Sequence, residues 1–103
     1  MKSLDRINLS RLIYLEGFTN YAKLFVEKRT FPDVHCYTLA RYEEQLPGFV
    51  RIHKKFLVNP VYIDSISTDR QNGFLLLKDG TILPVARRRY AHVVQQFAKQ
   101  MPV

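Results

Sequence analysis

The chain has 103 residues and sixteen Lys and Arg against nine Asp and Glu, a net charge of +7. That length predicts one domain, residues 1–103, and a hydrophobic share of 47% argues against an intrinsically disordered chain. One cysteine, Cys36, excludes an internal disulfide framework and any zinc site made of four cysteines or of two cysteines and two histidines. The basic excess points to a polyanionic partner, nucleic acid before an anionic membrane surface. No apolar run approaches the ~20 residues of a membrane helix. The opening MKSLDRINLSRL lacks the apolar core and cleavage site of a secretion signal. A cytoplasmic location is therefore expected.

Strand signals dominate in chain order. Arg11–Glu16 is a short apolar and aromatic run. Tyr21–Glu27 alternates, with Tyr21, Lys23, Phe25 and Glu27 on one face and Ala22, Leu24 and Val26 on the other, the pattern of a half-buried strand. Gly17-Phe18-Thr19-Asn20 between them has hairpin-loop composition. Lys28–Asp33 makes the next turn, and Val34–Tyr37 reads as the returning strand.

Thr38 fits the N-cap of a short helix. Leu39, Tyr42 and Leu46 recur at helical spacing before Pro47-Gly48 ends it. Phe49–Asn59 holds two apolar pieces around a basic centre, with Ile52, Phe56 and Val58 at core positions. Val61–Thr68 is the next strand. Asn72-Gly73 and Asp79-Gly80 mark two hairpin turns, because both pairs tolerate positive φ. Strands joined in this way form a meander. Ala86, Tyr90, Val93, Val94, Phe97 and Met101 then fall on one face of an amphipathic helix.

Basic charge is concentrated in two places. Arg51, His53, Lys54 and Lys55 form one cluster, and Arg87, Arg88 and Arg89 form another at the start of the last helix. Cations are unfavourable at a helix N-terminus, and a broken local rule often marks a functional position. That terminus also offers N–H donors to phosphate oxygens. A basic loop held between strands can reach groove edges, where lysine donates to guanine O6 and N7. Asn20, Tyr21 and Lys23 make a third candidate: asparagine pairs with adenine, and tyrosine reaches phosphate.

Catalytic signals are absent from the pattern. His35, His53 and His92 are scattered and show no metal spacing with Cys36. Cys36 reads as a small buried hydrophobe in a strand, His92 as a surface or boundary residue, and Glu43-Glu44 as a solvated helix face. There is no P-loop, GxGxxG, GxSxG or HExxH motif. No catalytic residue, metal site or cofactor is assigned, and no small-molecule substrate is expected.

The order of segments resembles the LytTR family of bacterial DNA-binding domains. The carrying residues are LIYLEGFTNYAKLFV (Leu12–Val26), LARYEEQLPGFVRIHKKFLVN (Leu39–Asn59), Ile63, Ile66 and ILPVARRRY (Ile82–Tyr90). The most specific pieces are FVRIHKKFLVN and PVARRRY. The resemblance implies a mainly β fold, an elongated arrangement of small, mostly antiparallel sheets with one short helix and a C-terminal helix. It also implies sequence-specific binding of double-stranded DNA through loops that enter successive major grooves, in a regulator of transcription. Direct-repeat sites bound by two copies follow from the same likeness.

Carried over by motif position, Lys54 and Arg87 are base contacts. The third base contact falls just after Asn20-Tyr21, at Ala22 or Lys23. Ala22 cannot hydrogen-bond a base, which shifts that reading to Lys23 or Asn20. Tyr21, Lys55, Arg88 and Arg89 are phosphate contacts, and His53 supports its loop and reaches the backbone. The family often has serine where Lys55 and Ala86 stand. The stretch before Leu12 is short, so either an edge strand such as Asp5–Leu9 is abbreviated or part of a parent chain is missing. Related domains usually serve as outputs behind a receiver or sensor domain, so a stand-alone regulator and part of a larger one are both compatible with the sequence. The competing reading is a basic β-rich module for RNA or an acidic protein. Phe25, Tyr62, Phe74 and Tyr90 fit core positions, which leaves few aromatics to stack on bases.

Overall fold

The computed structural model describes residues 9–69 and 71–100. Asp5–Asn8 of the suggested edge strand and Met101 of the helical stripe lie outside them. Leu9 belongs to a 3-10 turn, Leu9–Arg11, that leads into the first strand.

Among the described residues, eight strands form two antiparallel sheets. The larger contains β1 (Leu12–Gly17), β2 (Ala22–Val26), β3 (Asp33–His35), β4 (Val50–His53) and β5 (Phe56–Val58), in the order β3-β2-β1-β5-β4. The smaller is the meander expected from the turn residues: β6 (Ile63–Ile66), β7 (Phe74–Leu77) and β8 (Ile82–Pro84). Helix α1 (Leu39–Gln45) and helix α2 (Tyr90–Gln100) complete it. The longest extent is 37 Å, against 27 and 24 Å.

Strand β1 is central and buries both faces. Leu12 and Leu15 join Ala22, Leu24 and Leu57 beneath α1, where Leu39, Tyr42 and Leu46 cover them. Ile13 and Tyr14 join Val50, Ile52 and Val58 on the other side. That second cluster is closed by Ile63, Leu75, Leu77, Leu83 and Val85 near the meander, and by Val93 of α2. A register shift between Leu12 and Tyr14 explains how two consecutive residues, Ile13 and Tyr14, share one cluster. The large sheet is thus a middle layer, with α1 on one face and the meander and α2 on the other.

Several elements begin or end away from their expected positions, each for a local reason. Strand β3 stops at His35, opposite Ala22, where β2 offers no further partner. Cys36 therefore lies beyond the strand and is exposed rather than buried. The sixth strand begins late because Pro60–Tyr62 form a 3-10 turn, with the Asn59 side chain accepting from the Val61 N–H. Asn72-Gly73 does not make a two-residue turn. The loop is longer, and Asp69 organises it by accepting from the Gln71 and Asn72 N–H groups. Gly73 is required by close packing, since a Cβ there would sit 3.0 Å from the Tyr90 ring. Gly80 alone of Asp79-Gly80 has positive φ, +94°, and its N–H bonds to the Leu77 carbonyl. Phe74 points outward and is 43% exposed, because Leu75 and Leu77 take the inward positions of β7. Phe25, Tyr62 and Tyr90 pack against the core as expected.

Asn59 is buried and joins two layers: its Nδ2 donates to the Leu12 carbonyl at 3.0 Å, and its Oδ1 accepts from Val61 at 3.1 Å. Replacing it with alanine strands a buried carbonyl and a turn N–H, at a cost of about 1–3 kcal/mol for each buried group left unmade. The Asn59→Ala chain is expected to unfold at a lower urea midpoint with an unchanged slope. An unchanged midpoint would remove Asn59 from this role.

Candidate nucleic-acid interface

Three separated segments come together where β1 ends and β4 turns into β5. The β1–β2 loop is tied to the β4–β5 turn by the Gly17 N–H, which donates to the Lys55 carbonyl at 2.7 Å. The β4 strand is tied to the arginine turn by the Ala86 N–H, which donates to the Ile52 carbonyl at 2.9 Å. An open groove of about 610 Å³ runs from residues 17–21 past Thr38, Leu39 and Ala40 to Arg51, Lys54 and Lys55. A second, of about 300 Å³, is lined by His53, Lys54, Ala86, Arg88 and Arg89. Lys54 borders both, so the two basic clusters of the sequence form a continuous surface.

Lys54 and Arg87 are exposed at turn positions. Arg87 does not line either groove; it heads the 3-10 turn Arg87–Arg89. That turn precedes α2, which starts at Tyr90, so the arginines stand before the α-helix rather than in its first turn. Asn20 is exposed and Tyr21 half-buried at the mouth of the larger groove. Ala22 is fully buried on the α1 side of β2, and so is closed to a ligand. Lys23 follows it in β2, with its ammonium 5.2 Å from the centre of the Phe18 ring.

The β4–β5 turn is held from inside by Arg51. Its Nε donates to the His53 carbonyl at 2.9 Å, one Nη to the Lys54 carbonyl at 2.6 Å, and the other to Glu43 of α1 at 2.6 Å. Glu43 is thus a brace for the turn rather than a merely solvated residue. The sequence placed Arg51 in the basic cluster, but its charge is spent within the protein. The signal available was its position between Val50 and Ile52, which face the opposite layer and turn Arg51 toward α1.

His53 closes the same turn. Its Nδ1 accepts the Lys55 N–H at 3.1 Å, which places the proton of the neutral ring on Nε2. Partial burial, helped by Lys54, Lys55, Arg89 and Arg51, holds its pKa below the usual histidine value. The neutral form is therefore the native one. Its contribution to stability is complete above about pH 6.5, the unperturbed histidine value, and is lost as pH falls through the lowered native value. Stability is expected to fall from pH 7 to 5.5 more steeply than in His53→Gln. Equal slopes in urea melts would show that this ring has no such role.

Exposed aromatics exist elsewhere, Phe31 at 78% and Phe74 at 43%, but neither lines the two basic grooves. Among the described residues no cluster of three His, Cys, Asp or Glu side chains could hold a metal ion. No helix among them is long and apolar enough to cross a membrane.

The family model described as the LytTr DNA-binding domain matches residues 2–98. The chain belongs to the LytTR family. It is therefore a DNA-binding domain, of a family defined by that binding and not by an enzymatic activity. Its fold is similar to the LytTr DNA-binding domain of a protein from Bacillus cereus described as a methyl-accepting/DNA response regulator. The two are 24% identical, with a TM-score of 0.77 over 87% of this chain and 84% of the other. No curated protein matches the LytTR chain.

Proposed function

We propose that this LytTR domain binds double-stranded DNA sequence-specifically and regulates transcription, through the surface formed by the three basic segments. The reading rests on one observation above the rest: the β1–β2 loop, the β4–β5 turn and the arginine turn are joined by backbone hydrogen bonds into a single face. Lys54 and Arg87 read base edges in the major groove, and Asn20 or Lys23 supplies the third reader. Tyr21, His53, Lys55, Arg88 and Arg89 hold phosphates on either side and set the register. Nε2–H of His53 is the donor left for that purpose once Nδ1 has taken the Lys55 N–H. Two copies occupy direct-repeat sites, and in a larger regulator a receiver or sensor domain supplies the signal.

The test is selection from a random duplex library at about 150 mM salt, near physiological ionic strength. A motif is expected to emerge, repeated in the same direction. On that site log Kd should change with log salt with a slope of magnitude roughly 5, from about 0.9 per neutralised phosphate. No enriched motif, with equal binding to every duplex, would reduce the reading to a general polyanion binder.

A further inference from the structure

Phe18 stands in the β1–β2 loop, and nothing in the assignment above uses it. Its ring stacks on Tyr21, with centroids 4.6 Å apart and planes 8° from parallel. The Lys23 ammonium lies 5.2 Å from the centre of the same ring and the Lys55 ammonium 4.9 Å from it. Both distances are within the range of cation–π attraction. The lysines come from strands on opposite sides of β1: Lys23 from β2, and Lys55 from the turn before β5. The Gly17-to-Lys55 hydrogen bond and a second from the Phe18 N–H to the Tyr21 carbonyl, at 2.8 Å, fix the ring between them.

Two ammonium groups repel one another, and long lysine stems ordinarily swing apart in water. Here one aromatic ring holds both. Glu16 stands alongside, as the cross-strand partner of Lys23 and with its Oε2 4.0 Å from the Lys55 ammonium. That carboxylate partly screens the pair. A phosphodiester oxygen of a duplex backbone carries charge of the same sign and fits the same need.

We infer that Phe18 is the platform of a preformed phosphate seat, in which Lys23 and Lys55 together hold one phosphate of the DNA backbone. The inference rests on the DNA-binding reading and sharpens it. Lys23 becomes a backbone ligand, and Asn20 remains as the base reader of the first segment. Ordering two lysine stems before binding removes an entropy cost that would otherwise fall at the moment of association.

The experiment compares Phe18→Leu, Phe18→Tyr, Lys23→Ala and Lys55→Ala on the selected duplex and on an unrelated duplex, each across a salt series. Thermal melts confirm that each chain is folded. Phe18→Leu should weaken binding to both duplexes alike, by about five- to thirtyfold, the size of two exposed cation–π contacts. Phe18→Tyr should restore it. Lys23→Ala and Lys55→Ala should each reduce the magnitude of the salt slope and leave base preference unchanged, and the double variant should reduce it by about 0.9, the one phosphate they share.

Wild-type affinity in Phe18→Leu overturns the seat and leaves the DNA reading standing. So does a Lys23→Ala chain that loses preference at one base pair with its salt slope intact. If the wild-type chain binds no duplex, the DNA reading falls, and titration with inorganic phosphate decides the seat. Side-chain resonances of Lys23 and Lys55 that move together support it, and resonances that stay still overturn it.

Discussion

Arg51→Ala is expected to cost about 2–3 kcal/mol of folding stability and to weaken DNA binding as well. The guanidinium makes three short bonds, to the carbonyls of His53 and Lys54 and to Glu43. Its side chain is only 15% exposed. Removal leaves two carbonyls at the base of the turn without their donor, each worth roughly 1 kcal/mol or more. The Glu43 carboxylate is 45% exposed, so water replaces that partner and the ion pair itself adds little. Lysine should not rescue the variant, because a single ammonium cannot span the three acceptors that the planar fork reaches. The turn also presents Lys54, so a loosened turn must be reordered on binding, at about 1 kcal/mol or roughly fivefold in Kd. Urea melts and duplex titrations of Arg51→Ala, Arg51→Lys and Glu43→Gln measure both effects. Wild-type stability in Arg51→Lys would show that charge, not the fork, holds the turn.

The paired substitution Lys54→Ala with Arg87→Ala is expected to have the largest effect on recognition. As proposed base readers, each should contribute about 1–3 kcal/mol of discrimination. The two side chains stand on different turns, and only Lys54 lines the grooves, so their losses should nearly add. Affinity for the selected site should fall by about 2–6 kcal/mol, bringing it close to that for unrelated duplexes. Preference should relax at two separate positions, one in each reader's contact. Arg89→Ala, by contrast, should weaken all sequences alike, since a phosphate contact carries no base information. Competition titrations on single-base variants of the selected site separate these outcomes. Unchanged preference in the double variant would remove both residues from the reading role.

Much of this protein was legible in its residues, and particular elements show why. Leu39, Tyr42 and Leu46 predicted α1 because helical spacing puts apolar side chains on one stripe, and all three are buried beneath it. The alternation of Ala22 and Leu24 with Lys23 and Phe25 predicted the half-buried β2. The two basic clusters and their flanking apolar residues marked the surface proposed to bind DNA. These are short-range patterns, set by the periods of helix and strand and by the chemistry of turn residues, and a linear sequence records them directly.

What the sequence could not supply depends on partners distant along the chain. The outward position of Phe74 follows from which face of β7 packs on the core, and the exposure of Cys36 from where β2 ends. The joining of the β1–β2 loop to the β4–β5 turn depends on strand order, which places β5 beside β1. Arg51 and Lys54 look equivalent as letters in a basic run. Only the packing of α1 against the sheet brings Glu43 to Arg51, so one cation is consumed as a brace while the other remains free to reach a ligand. The tertiary structure decided the roles, because charge acts through distance and burial, and neither is a property of sequence position.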